Sequence, residues 1–392
     1  MPRPALELAD LFRQYGPAYR QAHSLPVQQH QLMRAIETCR TAALGGHIDK
    51  CDQCQFTRIS YNSCRNRHCP KCQGKQRSQW LAQRKSELLP VEYFHVVFTM
   101  PAQLAAIAYQ NKTVVYDILF RAAAETLLTI ARDPKHLGAD IGLFAILHTW
   151  GQNFHHHPHV HCVVSGGGLS PDYARFIHCR PGFFLPVRVL SRLFRRLFLQ
   201  ALQRAFDQQK LQFFQALTPL ANASAFAAYL QPVRDAEWVV YAKPPFGGPE
   251  TVLAYLARYT HRVAIGNQRL RAMQDGNITF QWKDYQRHNR VRNMTLDANE
   301  FIRRFLLHTL PPGFQRIRHY GFLANAHRRD KLALCRQLLT ADPTGLLPSI
   351  PAAVQSTVLE PTTDSPLCCP VCRQQSLRRV EILPPQTRVD SS

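Results

Sequence analysis

The chain has 392 residues, 45% of them apolar, enough to bury more than one core, so two or three folded domains are expected and a disordered chain is excluded. Lysine and arginine outnumber aspartate and glutamate by 48 to 26, a formal charge of +22, and the natural partner of such a surface is a polyanion. No apolar stretch approaches the roughly 20 residues of a spanning helix, and the start "MPRPALELADLFRQYG" has no signal-peptide core, so a cytoplasmic protein is expected. In a reducing compartment twelve cysteines point to metal rather than to a disulfide framework.

A helix is expected from Ala5 to Tyr15, and another through "HQLMRAIETCRTAALGG", stopped by its glycines. The cluster "CDQCQFTRISYNSCRNRHCPKC" follows. Its two Cys-x-x-Cys knuckles, Cys51 with Cys54 and Cys69 with Cys72, stand about fifteen residues apart, the spacing of a structural Zn2+ site. Four thiolates there complete a tetrahedron and supply folding energy to a segment too small for its own core. Cys64, His68 and His47 are spare ligands of the right type, able to replace a cysteine or to help hold a second ion. Arg65, Arg67, Lys71, Lys75 and Arg77 are interleaved here and suit phosphate contact or a solvated basic face equally. The basic helix "GKQRSQWLAQRKSELLP" ends at Pro90, so residues 1–90 are expected to form a small metal-stapled domain.

"YFHVVFTMP" (93–101) reads as a buried strand, with helical patterns over 102–132. "IGLFAILHTW" and "HPHVHCVVSGGG" form an expected hairpin that ends in a flexible glycine turn. Residues 187–216 are a basic amphipathic helical stretch, "EWVVYAKPP" a strand, "ETVLAYLARYTHRVA" a helix, and "NITFQWKDY" with "RVRNMTL" a second hairpin. "DANEFIRRFLLHTL" is helical behind an aspartate cap. Strands scattered among helices, without βαβ alternation, give an α+β domain around an antiparallel sheet over 91–340. Residues 341–392 are rich in proline, serine and threonine and are expected to be a mobile tail, whose Cys369 and Cys372 have no evident partner pair.

The stretch "HHHPHVHC" (155–162) places five histidines in eight positions. On a strand, His157, His159 and His161 share one face, and two imidazoles at i and i+2 bind a divalent ion while leaving positions open for substrate oxygens. His148 on the preceding strand, Gln152 in the turn and His157 are the candidates for a third ligand, and spacing does not choose among them. In "TVLAYLARYTHRVA" Tyr255 and Tyr259 lie four apart, on one helix face. Val252, Leu256 and Val263 beside them allow a core-packing reading. The other reading makes each phenol attack a phosphodiester. With an unperturbed pKa of about 10, a phenol then needs a metal to polarise the phosphate and cations such as Arg258, His261 and Arg262 to favour phenolate.

The motifs "SCRNRHCPKCQ", "FHVVFTMP", "HTWGQNFHHHPHVHCVVSGGGLS", "YLARYTHRVAIGNQRL", "FQWKDY" and "EFIRRFLLHTLPPGFQRIRHYGFLAN" together resemble the IS91 family of two-tyrosine rolling-circle transposases, in the HUH (His-hydrophobe-His) endonuclease superfamily. The resemblance implies an antiparallel sheet flanked by helices, preceded by a small zinc-binding domain that helps recognise the element's DNA ends. It implies that His159 and His161 hold Mg2+ or Mn2+ and that Tyr255 and Tyr259 are nucleophiles. One tyrosine would cut single-stranded DNA to a 5′-phosphotyrosyl link and a free 3′-OH, with no nucleotide cofactor. A plasmid replication initiator or relaxase shares this chemistry, and a non-catalytic zinc-dependent DNA-binding protein shares the charge and the cysteines. A zinc hydrolase is disfavoured, since no glutamate stands beside the histidines to act as base.

Overall fold

The structure is a computed structural model that describes residues 6–72, 84, 86–182, 184–243, 251, 264–284, 290–341 and 368–386. In chain order its elements begin with α1 (Leu8–Ala22), α2 (Val27–Thr38), β1 (Gly46–Cys51), β2 (Thr57–Tyr61), β3 (Tyr93–Thr99), α3 (Ala105–Gln110), α4 (Lys112–Arg132), β4 (Asp140–Trp150) and β5 (His156–Leu169). They continue with β6 (Phe176–His178), α5 (Val187–Asp207), α6 (Ala223–Asp235), β7 (Val240–Lys243), β8 (Leu270–Gln274), β9 (Asn277–Asp284), β10 (Arg290–Asp297), α7 (Ala298–Leu307), β11 (Ile317–Gly321), α8 (Arg328–Ala341) and β12 (Leu377–Leu383). Helices around antiparallel sheets make this the expected α+β class.

The chain divides into two compact units. The first draws its described residues from Met1–Gln76, Val263–Arg303 and Ile350–Ser392. Here α1 and α2 pack through Leu8, Leu11 and Phe12 on one side and Leu32, Met33 and Ile36 on the other, the i, i+3, i+4 stripes of two amphipathic helices. The side-chain oxygen of Asn267 accepts the backbone N–H of Leu8 at 3.1 Å, satisfying a donor that the helix start leaves over. A meander β8–β9–β10 covers itself with α7, where Phe280 meets Phe301 edge-on at 5.6 Å. A second antiparallel sheet has the order β12-β1-β2. Within the stretch that composition marks as a tail, β12 pairs with β1 from Gly46 opposite Leu383 to Cys51 opposite Leu377.

The second unit draws on Arg77–Arg262 and Arg304–Ser349 and holds the expected hairpin. Its antiparallel sheet has the order β11-β4-β5-β3-β7, with β6 added to β5. β4 and β5 are central, so β4 is buried without interruption from Ile141 to Trp150 instead of alternating. One face (Phe98, Leu143, Ala145, Leu147, Val160, Cys162) packs on α4 and α5 through Tyr116, Leu119, Phe194 and Phe198, each buried phenylalanine contributing about 2 kcal/mol. On the other face, Phe144, Ile146 and Val163 are covered by Leu332, Cys335 and Leu339 of α8.

Gly166, Gly167 and Gly168 do not form the expected flexible turn. They lie inside β5, where Gly168 pairs with Ile141 of β4 and Gly167 with His178 of β6. Glycine is required because neighbouring backbones close in: a Cβ on Gly168 would stand 2.3 Å from the carbonyl oxygen of Asp140. Gly168→Ala is expected to cost about 2 kcal/mol and to lower the thermal midpoint by several degrees, measured by circular dichroism. An unchanged midpoint would mean that the two strands are not this close.

Candidate metal centre and its surroundings

Strand periodicity and register build the histidine cluster. His159 lies opposite His148 of β4 and Thr99 of β3, and His161 opposite Ile146 and Val97, so both imidazoles leave the sheet on the face that carries Ile146 and Phe144. Ring-nitrogen ligand atoms of His148, His159 and His161 all lie within 4.8 Å of one another. Of the two histidine candidates for a third ligand, His148 therefore converges on the pair, while His157 stands outside the group. Its carbonyl oxygen instead accepts from Nδ1 of His159 at 2.7 Å. A carbonyl can only accept, so Nδ1 carries the proton and Nε2 of His159 keeps its lone pair for a ligand.

A residue that sequence reasoning missed orients the second imidazole. His95 of β3, 1% exposed, places Nε2 at 2.8 Å from Nδ1 of His161, the rings stacked at 5.0 Å. Such a partner fixes ring orientation in metal-binding histidines. A histidine within the apolar run "YFHVVF" was the available signal. Two further histidines of the stretch have other work: Nε2 of His156 lies 2.8 Å from the Tyr116 hydroxyl, and the exposed His155 ends the turn before β5. That turn is fixed by His308, whose Nε2 donates to the Phe154 carbonyl at 3.2 Å while Nδ1 meets Thr149 Oγ1 at 3.2 Å.

Burial disfavours the charged imidazolium at four of these histidines, holding His159 and His156 down to about 4, His95 to about 3 and His161 well below its ordinary range. All four are neutral at pH 7, the form that ligates metal. Because folding depresses these values below an unfolded 6.5, the unfolded chain binds more protons as pH falls. In chelator, the urea midpoint is expected to be steady above pH 6.5 and to decline from there towards pH 4. A flat profile across that window would show that the imidazoles titrate normally in the folded protein.

The cysteines are grouped differently from the expected set of Cys51, Cys54, Cys69 and Cys72. Cys69 and Cys72 converge with Cys64 and with Cys39, all four ligand atoms within 4.8 Å, and Cys72 Sγ lies 3.5 Å from both Cys39 Sγ and Cys64 Sγ. Cys39 was missed; it is the residue that caps α2, 33 positions before Cys72, and its only sequence signal is its place beside the helix stop. Hydrogen bonds from the neighbouring thiols, Cys64 first, pull Cys39 down to about 7, and those from Cys39 and Cys64 pull Cys72 far below the usual thiol range. Cys51 and Cys54 instead meet Cys369 and Cys372. The two knuckles separate because β1 ends at Cys51 against β12, whereas the loop carrying Cys64 to Cys72 returns to the end of α2. His68 is buried, and His47 lies 3.4 Å from Asp49; neither joins a thiol group.

Among the basic residues singled out from sequence, Arg65 is exposed and Arg67 half-buried. Lys71 differs from the phosphate-binding expectation: its ammonium is largely buried, 2.5 Å from the Glu7 carboxylate and 3.3 Å from the Cys39 carbonyl, which withdraws it from an external anion. Lys75, Tyr255, Arg258, Tyr259, His261 and Arg262 lie outside the described residues.

A sheet-borne group of three imidazoles in a chain that also carries eight converging thiols defines an α+β protein equipped for metal ions. Residues 142–331 match a family model described as "Putative transposase", and residues 11–100 match one described as "Transposase zinc-binding domain". The chain is 59% identical over 384 residues to "Putative transposase y4qJ" of Sinorhizobium fredii, covering 97% of this chain and 96% of that one. It is 29% identical over 294 residues to "Transposase for insertion sequence element IS801" of Pseudomonas savastanoi pv. phaseolicola, covering 73% of this chain and 68% of the other. No solved structure matches. The chain belongs to the IS91 family of insertion-sequence transposases. Among the described residues, no helix is long and apolar enough to cross a membrane.

Proposed function

We propose that this transposase nicks and rejoins single-stranded DNA at the ends of its insertion sequence by rolling-circle transposition, with Tyr255 and Tyr259 as nucleophiles. The observation that carries the reading is the convergence of His148, His159 and His161 on a rigid antiparallel sheet. The donor set fits a divalent cation: three imidazoles, one with its proton assigned to Nδ1 and another oriented by His95. With no carboxylate in the group among the described residues, it favours Mn2+ over Mg2+. His148, His159 and His161 would hold such an ion, which would polarise a phosphodiester.

The chain's own groups do the rest. Each phenol attacks phosphorus, loses its proton and takes the 5′ phosphate, releasing a 3′-OH; attack by a 3′-OH on that link restores the phenol and rejoins the strand. The phosphotyrosyl ester keeps the energy of the broken bond, so no nucleotide is consumed. A charge of +22 suits a DNA partner, and Cys39, Cys64, Cys69 and Cys72 supply a structural Zn2+ site inside the matched zinc-binding region, which we assign to recognition of the element's ends.

The test is to incubate the protein with single-stranded element ends and a divalent cation and to look for an adduct that survives SDS. The expected adduct forms at lower concentrations of Mn2+ than of Mg2+ and maps to Tyr255 or Tyr259. Its absence, or its persistence in a Tyr255→Phe, Tyr259→Phe double variant, overturns the reading and leaves DNA binding without catalysis.

A further inference from the structure

Two Cys-x-x-Cys turns from distant parts of the chain meet at the end of the β12-β1-β2 sheet. Cys51 Sγ lies 3.6 Å from Cys372 Sγ, Cys54 Sγ lies 3.6 Å from Cys369 Sγ, and all four sulfurs fall within 4.8 Å of one another. These are not disulfide distances, which are about 2.05 Å, and all four cysteines are free. They match the edge of a tetrahedron whose centre stands about 2.3 Å from each sulfur, which is about 3.8 Å.

The two turns also share one backbone design. The N–H of Cys51 donates to Phe56 O at 2.8 Å, and that of Cys369 to Gln374 O at 2.8 Å. The N–H of Gln55 returns to Cys51 O at 3.0 Å, and that of Arg373 to Cys369 O at 2.9 Å. Gln55 and Arg373, the residues following each second cysteine, both adopt the left-handed conformation, with φ of 59° and 60°. Two turns that repeat the same two backbone hydrogen bonds and the same unusual dihedral, separated by more than 300 residues, and that bring their thiols together, form a built site.

Energetics point the same way. Among the described residues, the apolar cluster at this end of the sheet has just Cys51, Cys369 and Leu377 buried, with Phe56 and Cys372 packed against them. β12 leaves Val380 53% and Ile382 75% exposed, and β2 leaves Ile59 55% exposed. So little apolar burial cannot hold a strand that returns from the far end of the sequence, and a metal is the usual remedy for so small a core.

We propose that Cys51, Cys54, Cys369 and Cys372 hold a structural Zn2+ ion, separate from the Cys39, Cys64, Cys69 and Cys72 centre, and that this ion clasps β12 onto β1. Four thiols lose their protons to solvent on binding, and the ion's ligand shell is complete, so the site is structural. The matched zinc-binding region ends at residue 100, which leaves Cys369 and Cys372 outside it.

The experiment uses the full chain and needs no DNA. Zinc is counted by elemental analysis, and each cysteine's alkylation rate is read by peptide mass spectrometry before and after a chelator. Cys369 and Cys372 should be protected together with Cys51 and Cys54 and released with them. A Cys369→Ser, Cys372→Ser variant should carry one zinc fewer than the wild-type chain. Free-thiol rates at Cys369 and Cys372 in a chain that still protects Cys69 and Cys72 would overturn the proposal, as would iron in place of zinc or a variant that keeps its full zinc content. If the variant does not fold, the alkylation pattern of the wild-type chain decides alone.

Discussion

His161→Ala is expected to lower divalent-dependent adduct formation on single-stranded DNA by about a thousandfold, equivalent to about 4 kcal/mol of lost transition-state stabilisation. The imidazole is 8% exposed on a central strand, and its loss leaves His148 and His159 as an incomplete set on a sheet too rigid to bring in a replacement. His95→Gln tests orientation separately from ligation. His95 meets Nδ1 of His161 and stacks on its ring, so its loss should weaken Mn2+ affinity by about 10–100-fold while saturating Mn2+ restores most of the activity. Circular dichroism must show both variants folded. If His161→Ala keeps the wild-type Mn2+ dependence, the three imidazoles are not the catalytic centre, and their convergence is merely packing.

Cys39→Ser is expected to remove one zinc and to unfold part of the first unit. A structural zinc site binds its ion with roughly 10–16 kcal/mol, as much as the whole stability of an ordinary domain, and a serine hydroxyl is a poor substitute for a thiolate. Cys39 ends α2, so loss of the centre should free the α1–α2 pair as well as the loop from Cys64 to Cys72. Limited proteolysis should open that region, while the β3–β4–β5 sheet of the second unit stays protected. His68→Ala is the matched comparison. His68 is buried yet outside the thiol group, so this variant should keep its zinc. Retention of zinc by Cys39→Ser with loss from His68→Ala would restore the histidine as a ligand and remove the cysteine.

Local pattern foretold a good part of the fold and one face of the site. The β4–β5 hairpin, β3 and the β9–β10 hairpin follow from periodicity, as do the helices at 112–132 and 187–207, which are shorter than the expected stretches 102–132 and 187–216, since each pattern is written within a dozen or two neighbouring residues. The same period of two puts His159 and His161 on one side of β5. Where the reading of "SGGG" as a turn failed, the missing information was the approach of Asp140 and Ile177, residues 28 and 10 positions away from Gly168 and Gly167.

By itself, the sequence determined which kinds of atom were on offer: paired thiols at knuckle spacing, imidazoles alternating along a strand, and an excess of cationic side chains. These depend only on residue type and short-range geometry. Which groups meet was decided by tertiary structure. Cys39 joins Cys72 across 33 residues, His95 reaches His161 across 66 and Cys51 faces Cys372 across 321. Strand pairing sets the last two encounters and the return of a loop to the end of α2 sets the first, and both answer to the burial of whole sheets and helices. No window of neighbouring residues contains that sum, so a thiol or an imidazole carries in its local sequence no mark of the partner it will find.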